Sequence, residues 1–187
     1  MFKFEKVSRF KDVDIEMPSR ATADSAGYDF VAAEDIIIEP YYLIRNRLRN
    51  VPVNEPLTLD EIAKITKQEQ ARPALISTGM KCKMPHGFYL QLSMRSSGPL
   101  KHWLIKANGV GIIDADYYDN LDNEGEIFFQ VINLSPYAIH IKKGDKIGQG
   151  IILPYGIAED DTTTNTRVGG FGSTDLIVQL FNEEINC

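Results

Sequence analysis

Two carboxylates and two tyrosines close an apolar run at residues 109–118, GVGIIDADYY. Alternation along an extended strand turns Asp114 and Asp116 to one face and Ala115 to the other. Val110, Ile112 and Ile113 are β-branched and favour that strand. Gly109 and Gly111 remove side chains where another backbone or a flat ligand comes close. A carboxylate held firmly at a strand end, beside an aromatic ring, suits proton transfer from water. The same pair also fits a solvated strand end, and these residues alone leave both readings open. A second group stands near the C-terminus, GGFGST at 169–174. Glycines there let backbone N–H groups face phosphates, and Phe171 can cover a ring. A linker with one stray aromatic has the same composition.

The elements that must position these groups read as strands. Phe2 and Phe4 alternate with charges at the N-terminus. Further strand signals lie at 26–33, 36–38, 74–84, 88–94, 126–133, 138–142 and 147–154. Pro85-His86-Gly87 reads as a hairpin turn, and 134–137 as another turn. Many short strands separated by turn signals predict an all-β jelly roll or distorted β-barrel. Residues 41–72 break the pattern as a helical insert. Within it Thr58 and Glu61 form a capping box ahead of the stripe Leu59, Ile62, Ala63, Ile65, and Pro73 stops the helix. Residues 159–187 form a C-terminal arm, polar at first and apolar again at 176–181.

The 187 residues are read as one domain, 1–187. Hydrophobic content of 43% and charged content of 25% are those of an ordinary globular chain. No apolar run approaches the ~20 residues of a membrane span, so no membrane is expected. MFKFEKVSRF alternates and is read as a strand, not a signal peptide. With only Cys82 and Cys187 no structural disulfide is expected, which fits a reducing, cytoplasmic setting. Net charge is −6 without a Lys/Arg block, which argues against a nucleic-acid surface. An anionic small ligand needs only local Arg, backbone N–H groups and a metal ion.

Five stretches, in order, resemble the motifs of the trimeric deoxyuridine triphosphatases (dUTPases). They are AGYDF (26–30), RSSGPLKH (95–102), NGVGIIDADY (108–117), KKGDKIGQGII (142–152) and RVGGFGST (167–174). The insert and the third stretch are most similar to members from Gram-positive bacteria and their phages. The resemblance implies a jelly-roll homotrimer whose active sites are shared between copies, hydrolysing dUTP to dUMP and pyrophosphate with Mg2+. On that resemblance Asp114 is the base that activates water for attack on the α-phosphorus. Asn108, Gly109, Ile113 and Tyr117 contact uracil and deoxyribose, and Phe171 stacks on uracil. Arg95, Ser96, Ser97, Gln149, Arg167, Gly172, Ser173 and Thr174 hold the phosphates. Asp29 holds a metal-bound water rather than the metal itself, which suits an ion that keeps several waters on phosphates.

Several positions depart from the family pattern. Met94 precedes Arg95, Ser97 stands where many members have glycine, and Asp175 replaces a common final glycine. Arg167 is one residue closer to the double glycine than in many members, and residues 176–187 run on past the usual end. A rival of the same fold, dCTP deaminase, places a catalytic glutamate where this chain has Gln130, counted from Gly125. An amide cannot shuttle a proton, which disfavours deamination. A rival of another class is a phage-type regulatory role, with the insert capturing a protein partner.

Overall fold

In a computed structural model, described here for residues 1–52, 54–165, 167, 169 and 170, the alternating segments form strands joined by short turns. The strands are β1 (Lys3–Lys6), β2 (Ser19–Arg20), β3 (Tyr28–Val31), β4 (Ile36–Ile38), β5 (Ala74–Ser77) and β6 (Met80–Lys83). They continue with β7 (Phe88–Met94), β8 (Leu104–Lys106), β9 (Gly111–Asp114), β10 (Phe128–Asn133), β11 (Ile139–Ile141) and β12 (Lys146–Pro154). Among the described residues they group into four antiparallel sheets and not into a closed barrel, an arrangement consistent with a jelly roll. The largest sheet has the order β2-β3-β12-β7-β9, and a second has the order β5-β10-β8. The remaining two are the pairs β1-β6 and β11-β4. Phe30 of β3 meets Phe129 of β10 at 5.9 Å between ring centroids, which joins the two larger sheets through a core that includes Leu90, Leu92, Ile76 and Val131.

The expected strand over 74–84 is two strands. Gly79 lies between them at φ +66°, and the halves join different sheets, β5 on β10 and β6 on β1. The 85–87 turn therefore does not close a hairpin, because β7 pairs with β12 and β9 instead. Side-chain alternation alone cannot say which neighbour a strand will take.

The insert carries α1 (Tyr41–Leu48) and α2 (Leu59–Gln68). Both halves of the Thr58–Glu61 capping box are present at the start of α2. The helix ends before Pro73 is reached. Gln70 turns left-handed at φ +53°, and the N–H groups of Gln70 and Ala71 donate to the carbonyls of Lys67 and Thr66. This is a Schellman closure made without glycine. Neither helix has a buried residue. Among the described residues, no helix is long and apolar enough to cross a membrane. Cys82 is buried in the core, and burial pushes its thiol up to about 12.

The long strand β12 ties the core to the functional residues. On it, Gly148 and Gly150 face the core while Gln149 faces away. A methyl group on Gly148 would overlap the Phe129 ring, and one on Gly150 would lie 2.8 Å from Leu90 and 2.9 Å from Phe30. Gly148→Ala is therefore expected to destabilise the fold by roughly 3 kcal/mol, the upper end for overpacking a dense core. Urea unfolding checks this: the midpoint should fall with an unchanged slope.

Candidate active site

The first cluster lies across three neighbouring strands. Asp29 of β3 sits opposite Gln149 of β12, which in turn sits opposite Ser93 of β7. Phe30 takes the core side of β3, so alternation turns Asp29 to the other face. Asp29 is 9% exposed and pairs with two cations, accepting a hydrogen bond from Lys146. Arg95 Nε approaches Oδ1 at 3.2 Å, and Lys146 Nζ approaches Oδ2 at 3.1 Å. Burying a carboxylate is costly unless it is paired, and here each oxygen faces a cation. Arg95 follows the end of β7, and its carbonyl accepts from Gly98 N–H where α3 (Ser97–His102) begins. Ser96 is exposed and Ser97 half-buried at that turn. Arg95, Ser97 and Lys146 line a cavity of about 430 Å³ together with His102, His140 and Asp145.

The second cluster is the end of β9. Ile112 and Asp114 face outward, whereas Gly111 and Ile113 face the core. The strand stops at Asp114, and a 3-10 turn follows over Ala115–Tyr117. The expected extended strand through Asp116 is thus cut short. The turn nevertheless leaves Asp114 and Asp116 side by side, because one guanidinium reaches both. Arg167 Nη2 donates to Asp114 Oδ2 at 2.7 Å, and its Nε donates to Asp116 Oδ1 at 3.0 Å. The Asp114 side chain is 50% exposed and borders a cavity of about 630 Å³, with Tyr89, Tyr155 and Asn165 on its other walls.

Tyr117 and Ile113 have side chains in the core. Tyr117 is 5% exposed, its hydroxyl donates to the Glu126 carbonyl at 3.0 Å, and Asn123 Nδ2 donates to that hydroxyl at 2.8 Å. Burial raises the Tyr117 phenol above its ordinary range. One face of its ring lies 5.7 Å beneath the Arg167 guanidinium. Asn123 and Asn120 knit the following loop, and Asp122 accepts from Gly170 N–H at 2.6 Å. Asn120, Asp122, Asn123 and Lys146 were not singled out from sequence. The signal was there in the turn-forming run DNLDNEG at 119–125 and in the cation four residues from Gly150.

Asn108 and Gly109 lie on an exposed turn between β8 and β9, with Gly109 at φ +65°. The turn crosses between sheets, since β8 pairs with β10 and β9 with β7. Gly111 does face a close neighbour, but it is Lys106. A methyl group there would lie 2.8 Å from the Lys106 ammonium, which is buried and less basic for that burial. Gln130 lies on β10 opposite Leu75, and its carbonyl accepts from Ala107 N–H. Phe171, Gly172, Ser173 and Thr174 lie outside the described residues.

The two clusters do not meet within one chain. Asp114 pairs with Tyr89 near the start of β7, and Arg95 follows its far end. The offset of six positions along the chain from Tyr89 to Arg95 puts them about 20 Å apart. Chemistry using both needs reach of about 3 Å at each reacting atom. Among the described residues, no group of three or more His, Cys, Asp or Glu side chains could hold a metal ion directly.

Comparison with known proteins bears on this arrangement. The dUTPase family model matches residues 57–175. The deoxyuridine 5'-triphosphate nucleotidohydrolase of Lactococcus lactis is 37% identical over 91% of this chain and 95% of its own length. The crystal structure of the Streptococcus mutans dUTPase superposes with a TM-score of 0.63 at 30% identity, covering 83% of this chain and 98% of that one. The dUTPase from phage phi11 of S. aureus, in which a species-specific insert has been visualised, shares the fold. Its TM-score is 0.57 at 19% identity, over 88% of this chain and 97% of that one.

Proposed function

This chain belongs to the dUTPase family, and from that premise we propose that it hydrolyses dUTP to dUMP and pyrophosphate in sites shared by three copies. The observation that carries the proposal is Asp114, half exposed at the rim of a cavity and held by a strand paired to the core. In the proposed step a water oxygen bonds to the α-phosphorus while Asp114 accepts a water proton. The bond between the α-phosphorus and the bridging oxygen breaks, and pyrophosphate leaves with that electron pair.

Arg95, Ser96, Ser97 and Gln149 offer a guanidinium, two hydroxyls and an amide to the phosphates. Arg167, Gly172, Ser173 and Thr174 serve the distal phosphate. Asn108 and Gly109 read the uracil edge, and Ile113 supports them from the core side of β9. Tyr117 limits the space beside the sugar, and Phe171 covers the base. The separation of Arg95 from Asp114 along β7 supports a homotrimer in which different copies supply the two.

The donor set suits magnesium carried on the phosphates and not ligated by the protein. Asp29 has both oxygens engaged by Arg95 and Lys146, so it serves such an ion through water. Bound there, magnesium supplies neutralisation of the triphosphate charge.

The test is pyrophosphate release across dUTP, dTTP, dCTP and UTP, with and without magnesium. The expected result is strong preference for dUTP and dependence on the metal. Equal rates for UTP, or ammonia released from dCTP, would overturn it.

The insert supports a second, additional role. Leu59 is 84% exposed and Ile62 43% on one helix of the insert, and the other helix exposes Tyr41 and Tyr42, a composition suited to a protein partner. A protein lacking residues 41–72 should keep its turnover. Lost turnover would assign the insert to the active site instead.

A further inference from the structure

We propose that Lys106 is a specificity-determining residue of the base site, its ammonium donating to O4 of a uracil lodged between β8 and β9. The inference rests on the dUTP reading for the identity of the base. It deepens that reading by naming a side chain that tells uracil from cytosine.

Lys106 ends β8 and Gly111 begins β9, with only residues 107–110 between them. The two strands do not pair with each other. Each is the last strand of its own sheet, β8 beside β10 and β9 beside β7. So short a link keeps their outer edges close, and the edges bound a slot closed at one end by 107–110. The Lys106 side chain crosses the core side of this slot. A methyl group on Gly111 would lie 2.8 Å from its Nζ, 3.0 Å from its Cε and 3.2 Å from Leu92 Cβ. The ammonium also lies 5.6 Å from the centre of the Phe129 ring, a cation–π contact.

Lys106 is 8% exposed, yet among the described residues its ammonium has no hydrogen-bond or ion-pair partner. Every fully buried side-chain nitrogen or oxygen among the described residues has a partner, so this ammonium keeps an opening. Burying a charge without an acceptor is costly, and methionine would fill a similar volume without that cost. A ligand that brings an acceptor through the opening removes the cost. An ammonium has three donors and no acceptor, so it suits a carbonyl oxygen and repels an amino group. Uracil and cytosine share O2 and differ at position 4, where one has a carbonyl and the other an amino group. A donor-only group can separate the two bases only there, which assigns the contact to O4.

The experiment compares Lys106→Met with the wild type, first by calorimetry. The variant should bind dUMP about tenfold more weakly, the scale of one hydrogen bond from a charged donor. It should bind dCMP no more weakly than the wild type does. Equal losses for dUMP and dCMP would mean that the ammonium attracts the phosphate, and the proposal fails. 4-Thio-dUMP, a poorer acceptor at the contacted atom, should bind both proteins alike, while 2-thio-dUMP keeps the difference. The reverse pattern moves the contact to O2 and overturns the discrimination. KM for dUTP should rise by the same factor with kcat nearly unchanged, the signature of lost uniform binding.

Two readouts separate this role from a structural one. Without nucleotide, Lys106→Met should unfold at a higher urea concentration than the wild type, because an unpaired buried charge is gone. A lower midpoint would show that the fold itself satisfies the ammonium, against the proposal. In protein isotope-labelled at lysine Nζ, the resonance missing from Lys106→Met should shift when dUMP is added to the wild type. An unmoved resonance overturns the contact. A wild type that neither binds dUMP nor hydrolyses dUTP overturns the base reading and this inference with it. Turnover of dUTP with unchanged base discrimination in Lys106→Met overturns this inference alone.

Discussion

Asp114→Asn leaves a folded protein that binds α,β-imido dUTP within about threefold of the wild type but turns dUTP over roughly a thousandfold more slowly, the range expected when a general base is lost. The fold should survive because the side chain is half exposed and its ion-pair partner is Arg167, itself on the arm. Binding should survive because Arg95, Ser96 and Gln149 lie elsewhere and are untouched. Rapid-quench measurement of a single turnover separates the chemical step from product release. Parallel losses of turnover and affinity would mean that Asp114 binds substrate and does not activate water.

The second large effect is a recovery. Arg95→Ala and Asp114→Asn should each be nearly inactive as pure assemblies. Unfolded together in equal amounts and refolded, they should regain about one quarter of the wild-type rate, because in the proposed shared site each of the two residues comes independently from a different copy. The physical ground is the strand between them: β7 keeps Asp114 and Arg95 about 20 Å apart in any single chain. Native mass spectrometry confirms that mixed assemblies form. Mixed assemblies without activity would place both residues of each site in one chain, against the geometry. The Arg95→Ala partner should stay folded, since Asp29 retains Lys146 at 3.1 Å.

Much of the architecture was legible because its signals are local. The three-residue apolar run at 36–38 is β4, and the alternation at 88–94 is β7. The Thr58–Glu61 box forms as its spacing predicts, since both partners lie within one turn. What misled was also local. The 74–84 run has strand alternation throughout, yet a left-handed glycine divides it between two sheets. Pro73 marked a helix end that a left-handed Gln70 had already made. The extended reading through Asp116 missed a 3-10 turn, because Tyr117 leaves the strand to bury its ring and satisfy its hydroxyl on Glu126.

From the chain of letters alone came the family: five short motifs in order resemble those of the dUTPases, and the family match bears that resemblance out. Motif order carries that resemblance without any fold. The tertiary structure decided where those groups stand. It buried Ile113 and Tyr117, gave Asp29 two cations, put Arg95 and Asp114 at opposite ends of β7, and laid Arg167 across Asp114 and Asp116. These are contacts between residues far apart in the chain, such as positions 29 and 146 or 114 and 167. They form only when sheets choose their neighbours and the core claims its side chains, and no local pattern encodes that choice.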